Sequence, residues 1–108
     1  MGAMINIAYD TKSVSNDEAA QLAISIQSLV VEVMGEKDVF VYADAKPITV
    51  ATDPIEVFIQ VNAQKLADPT DLMAEVAEKL GTWKQGNNFQ HPMNLNVIPV
   101  TWHSKIGI

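Results

Sequence analysis

The chain of 108 residues contains no cysteine and no arginine. The first absence removes disulfides, thiolate nucleophiles and sulfur-ligated metals together. The second removes the planar guanidinium fork that grips carboxylates and phosphates in two places at once, so any anionic ligand falls to lysine or to backbone amides. Lysine is itself sparse: seven residues, at 12, 37, 46, 65, 79, 84 and 105, stand against 13 carboxylates and leave a net charge of −6. Cations so scattered on an acidic chain do not form the clustered surface that displaces counterions from a nucleic acid. No run approaches the roughly 18 consecutive apolar residues of a membrane span, and the beginning lacks the basic-then-apolar order of a signal peptide. Neither nucleic acid nor membrane is therefore an expected partner, and the cytoplasm is the expected location.

What the chain does have is apolar residues, 48% of the total. Its length predicts a single domain over residues 1–108. A monomer of this size buries only about two-thirds of the surface its unfolded chain exposes, so the supply exceeds what one core requires and points to a subunit interface.

Alternation of apolar and other residues from Met4 to Tyr9 predicts a first strand. Ser15 followed three residues later by Glu18 is a capping box, in which each side chain satisfies the other's orphan backbone N–H, so a helix is predicted to start there. Leu22, Ala23, Ile26, Leu29, Val30 and Val33 mark one helical face, Ile24, Val31 and Met34 widen it, and Gly35 supplies a left-handed stop. A second strand is predicted over Val39 to Ala43, a short one over Ile48 to Val50, and a cleanly alternating third over Ile55 to Val61. Asp68-Pro69 opens a second helix, with Asp as cap and Pro where its missing N–H costs nothing. Its stripe is Leu72, Met73, Val76, Ala77 and Leu80, and Gly81 is predicted to end it. Lys84 to Pro92 reads as a polar loop, and Asn94 to about Trp102 as a last strand that Pro99 confines to a sheet edge or bulge. The order is two β-α-β units, about residues 4–50 and 54–104, an α/β (α+β) chain of four main strands with two helices on one face of the sheet.

This order, with its strand at Ile5 to Tyr9, its cap at Ser15 to Glu18 and its second unit from Ile55 to Trp102, resembles the tautomerase superfamily that includes 4-oxalocrotonate tautomerase and macrophage migration inhibitory factor. The resemblance covers nearly the whole chain, rests on order and spacing, and implies a homotrimer with the sheets inside a ring of helices and a walled pocket at Met4-Ile5. Members of that family use an amino-terminal proline as their base, and commonly use arginines for substrate carboxylates. Here the two candidate starts, Met1 and Met4, are followed by Gly2 and Ile5, and Pro54, which opens a similar Pro-Ile-Glu-Val, is internal with an amide nitrogen. Proline-based tautomerase activity is not expected, and whether any catalysis exists stays open. The expected function is that of a small-molecule-binding or catalytically inactive homotrimer. The alternatives are a structural or interaction oligomer without enzymatic activity, and a ferredoxin-like dimeric monooxygenase-type domain. In the ferredoxin-like case a third strand separates the first two strands; in the tautomerase-like case those two are adjacent and parallel.

Four residues are candidates for contacting a small organic ligand. Trp102 can wall a pocket and His103 can exchange protons near neutrality, with Lys105 nearby for an anion. The plainer reading is a tryptophan closing the core or an interface, followed by a solvated tail. Tyr42 and Lys46, at the exit of the second strand, can serve as hydrogen-bond donor and anion contact; the plainer reading is a polar strand end in which Asp44 and Lys46 offset each other. His91 and His103 are the only histidines, and no zinc-ligand spacing accompanies them, so no metal is expected. No Gly-rich phosphate loop or nucleophile elbow is present, and no cofactor is expected.

Overall fold

A computed structural model describes residues 2–46, 53–65 and 68–108; the predicted strand at Ile48 to Val50 lies outside them. In chain order the elements are β1 (Ala3–Asp10), α1 (Asn16–Met34), β2 (Val39–Lys46), β3 (Ile55–Asn62), α2 (Pro69–Gly86) and β4 (Met93–Val100), with a short 3₁₀ turn at Ala63–Lys65. They form one four-stranded sheet in the order β2-β1-β3-β4. β1 pairs parallel with β2, β3 pairs parallel with β4, and the two central strands pair antiparallel. The first two strands are thus neighbours and parallel, which sets aside the ferredoxin-like arrangement.

The central strands carry the core because their side chains alternate faces. Ile5, Ile7 and Tyr9 on β1 and Ile55, Val57, Ile59 and Val61 on β3 are buried beneath the helices. Leu22, Ile26 and Val30 of α1 and Leu72, Val76 and Leu80 of α2 close the same cluster from above. Each such side chain removed from water contributes about 1.5–3 kcal/mol, which is what holds the helices to the sheet.

Both helix starts are built as their sequences dictate. Ser15 accepts from the Glu18 N–H at 3.1 Å while Glu18 accepts from the Ser15 N–H at 3.0 Å, and Asp68 accepts from the Thr70 N–H at 2.8 Å with Pro69 behind it. Gly35 ends α1 at φ 68°, the left-handed conformation that favours glycine. Gly81, by contrast, does not end α2, which runs on to Gly86 and takes the first residues of the expected loop into the helix. The extension is held from outside: Trp83 packs on the buried Phe89 with ring centroids 5.1 Å apart, and the Lys84 ammonium donates to the His91 carbonyl at 2.7 Å. Three residues of the expected helical faces also lie outside it, Ile24 at 69% exposure, Met73 at 39% and the exposed Ala77. Pro99 sits on β4, an edge strand, one of the two settings expected for it. Among the described residues no helix is long and apolar enough to cross a membrane.

Candidate functional site

The face of the sheet turned away from the helices is where the site is sought, because alternation forces a second set of side chains onto it. Strand register arranges them in rows: Phe40, Met4, Gln60 and Ile98; then Tyr42, Asn6, Phe58 and Asn96; then Asp44, Ala8, Glu56 and Asn94. Large apolar groups stand open here, with Phe40 at 43%, Tyr42 at 56% and Ile98 at 38% exposure. The open face is a band of aromatic and aliphatic groups interleaved with amides, and it grows more acidic toward the end of β1.

At that acidic end Glu56 is held as a fixed carboxylate. Asn94 Nδ2 donates to one of its oxygens and Asn96 Nδ2 to the other, each at 3.0 Å, and Asn96 also donates to the Val57 carbonyl at 3.1 Å. Two neutral amides satisfy the oxygens without neutralising the charge. Beside it a cavity of about 310 Å³ opens between the ends of β1 and β2 and the start of β3, walled by Ala8, Tyr9 and Pro54 and ringed by Asp10, Asp53, Glu56 and Lys46. An anion entering it meets three carboxylates for one ammonium, so the arrangement disfavours the anion contact expected of Lys46.

A second polar cluster joins the α2–β4 connection to the start of α1. His91 Nε2 lies 2.7 Å from Glu18 Oε2 while the other Glu18 oxygen completes the capping box. The Glu18 carboxyl is lowered from its ordinary range first by the Ser15 backbone N–H and next by the His91 hydrogen bond. Nearby, Tyr9 donates to Asn16 Oδ1 at 2.7 Å, which satisfies the hydroxyl of an otherwise core residue. Among the described residues no group of three or more histidine or acidic side chains is placed to hold a metal ion.

The four expected ligand contacts are not brought together within one protomer. Tyr42 projects from the open face, and Lys46 lies two rows further along β2, opposite Asp10 where β1 ends. Trp102, half-buried, and His103, exposed, follow β4, which finishes opposite Asn62 at the edge where β1 begins. Tyr42 and Lys46 stand on one edge strand of the sheet and Trp102 and His103 follow the other, and Lys46 lies a further strand length away, roughly 23 Å at about 3.3 Å per residue. Ile5, expected to wall a pocket, is wholly buried in the core, and the N–H groups of Gly2 and Ala3 both donate to the Asp38 carbonyl. The Glu56 clamp is not among the expected contacts, although the Asn-x-Asn spacing of 94 and 96 puts both amides on one face of a strand.

No protein-family model and no curated protein matches the sequence. Solved structures do match it in fold. Native Ps01740 superposes with a TM-score of 0.63 at 14% identity, over 91% of this chain and 94% of that one. A fused 4-OT described as an asymmetric trimer gives 0.63 at 11%, over 91% and 86%. A macrophage migration inhibitory factor from Oncomelania hupensis gives 0.58 at 18%, over 97% and 92%. With β1 and β2 adjacent and parallel, antiparallel central strands and two helices on one face, the chain has the fold of the tautomerase and macrophage migration inhibitory factor superfamily.

Proposed function

We propose that the protein is a homotrimer of tautomerase-like protomers that lacks the proline base and binds a small organic ligand where protomers meet. The observation that carries this reading is the open sheet face. A face on which Phe40, Tyr42 and Ile98 remain exposed beside Met4 and Phe58 is apolar enough to call for a cover, and the amides between them supply directional pairing for a specific one. A copy of the same chain supplies both, and one structural neighbour is itself described as a trimer. The segment after β4 supports the same assembly: it carries Ile106 and Ile108 at 83% and 102% exposure, apolar groups that a neighbouring protomer would shelter. Such a crossing would bring Trp102 and His103 of one protomer toward the Tyr42 side of the next, where one protomer alone keeps them apart.

The chemistry this reading allows is binding rather than proline-type proton transfer. Pro54 follows Asp53 within the chain, so its nitrogen is an acylated amide without basicity. Light scattering at micromolar concentration is expected to return three times the protomer mass of 11.8 kDa, and a monomer would overturn the proposal. Keto–enol exchange of a phenylpyruvate-type acid is expected to stay at the buffer rate, while at least one member of a small organic-acid library raises the melting temperature. A trimer that no compound stabilises would instead favour a purely structural or interaction role, for which the acidic surface is the available contact.

A further inference from the structure

On the side of the helices away from the sheet, α1 and α2 enclose an open groove of about 640 Å³ that the trimer reading leaves unused. Its composition runs from one character to another along its length. Each helix returns antiparallel to the strand before it, and β1 and β3 are antiparallel, so the two helices are antiparallel to each other. Lys79 of α2 donates to Glu32 of α1 at 3.2 Å, which fixes their relative position. From that bridge Trp83 lies one turn along α2 and Ile24 two turns back along α1, and both displacements point the same way. One end of the groove therefore holds Glu32, Glu78 and Lys79; at 1.5 Å rise per residue Trp83 lies about 6 Å from that bridge along the groove and Ile24 about 12 Å from it.

Charge and hydrogen-bonding capacity at the two ends select a ligand class. Glu32 already engages the single ammonium, whereas the Glu78 carboxylate has no partner among the described residues. The Ser28 hydroxyl donates to the Ile24 carbonyl at 3.3 Å and the Thr82 hydroxyl to the Glu78 carbonyl at 3.2 Å, so both groove-lining hydroxyls have spent their one hydrogen and have only acceptor capacity left for a ligand. Ile24 is 69% exposed beyond that bridge and lines the groove together with Trp83. The whole chain is acidic, at −6 without an arginine, which raises the local concentration of cations around it. We propose that the inter-helix groove is a binding site for a small amphiphilic cation, an aryl-alkyl ammonium whose charged head sits at Glu78 and whose apolar body lies over Ile24 and Trp83.

The test is a titration of the intact protein with 4-phenylbutylammonium, followed by amide and indole NMR shifts, with 4-phenylbutanol and butylammonium as controls. Expected are saturable shifts at Ile24, Thr82 and the Trp83 indole, with the ammonium binding about fivefold more tightly than the alcohol at low salt, an advantage that fades as salt screens the exposed charge. Glu78→Gln is expected to abolish that advantage, and Ile24→Ser to weaken the ammonium and the alcohol alike. Both positions are exposed or carry an exposed rim, so neither variant is expected to unfold. Equal binding of ammonium and alcohol, shifts centred elsewhere, or an unchanged Glu78→Gln would overturn the proposal. So would an Ile24→Ser variant whose mass in solution falls, because the groove would then be a contact between copies of the chain. The helix side is independent of the open sheet face, and a monomer that still binds the ammonium would overturn the trimer alone.

Discussion

The first half of the chain, β1-α1-β2, and the second, β3-α2-β4, meet the same packing demand with different residues. β1 and β3 show one burial pattern, alternating buried and half-buried along all eight positions, though they share almost no letters. The helices differ more. α1 opens on a reciprocal capping box and stops at a left-handed glycine, whereas α2 opens on Asp-Pro and runs through a glycine to a stop held by its own loop. A strand needs only period-two alternation to bury a face, so many sequences serve; a helix end must satisfy particular backbone groups, so its residues are specific.

The largest effect should fall where the two halves meet. Ile5 and Ile59 face each other across the central antiparallel pair and are both fully buried. Ile5→Ala and Ile59→Ala are each expected to cost about 3 kcal/mol in denaturant unfolding, and the double variant to depart from their sum because the cavities adjoin. A clear inequality between the singles would show that the halves are not equivalent in the core.

The helix ends sharpen the contrast by sign. Gly35→Ala places a side chain at φ 68° and is expected to destabilise by about 1 kcal/mol. Gly81→Ala adds a methyl to the body of α2 with nothing within 4 Å of it and is expected to stabilise by up to about 1 kcal/mol. Two destabilising results would mean that Gly81 is constrained by a contact with another copy of the chain.

Caps come next. Ser15→Ala and Asp68→Ala should each cost about 1 kcal/mol in chemical unfolding. Ser15→Ala is expected to be the worse of the two, since Glu18 loses half of a reciprocal pair.

The smallest expected effect is the pH response of Glu18. Its carboxyl is lowered in the folded protein, by the Ser15 N–H first and His91 second, so its contribution is present above the unfolded carboxyl value and fades as pH falls through the lower folded one. Melting temperatures followed into acid should fall less for Glu18→Gln than for the parent, and parallel curves would remove Glu18 from the account.

Much of the architecture was legible in the letters for physical reasons that differ by element. Alternation at Ile55-Glu56-Val57-Phe58-Ile59 reads as a strand because the side-chain period is a property of the backbone. Ser15-x-x-Glu18 reads as a helix start because both partners lie within four residues of each other. The end of α2 was not legible, since whether Gly81 stops a helix depends on Trp83 finding Phe89 and Lys84 finding the His91 carbonyl. Ile24 and Met73 fit a helical stripe at its margin, and only the sheet's width decides which marginal positions are covered. The candidate site was legible residue by residue but not as a place. Tyr42 and Lys46 could be assigned to a strand exit, yet their separation from Trp102 and His103 follows from strand directions that a spacing does not carry.

By itself, then, the sequence determined the element order, both helix caps, and the exclusions that follow from having neither cysteine nor arginine. Those are local or compositional properties, fixed by groups a few residues apart or by their absence. Only the tertiary structure decided that β1 and β2 lie side by side, that Glu56 is clamped by asparagines 38 and 40 residues away, and that Glu18 meets His91 across 73 residues. Such contacts exist because burying one face of a four-stranded sheet under two helices forces distant segments into register, and that demand is met by the chain as a whole.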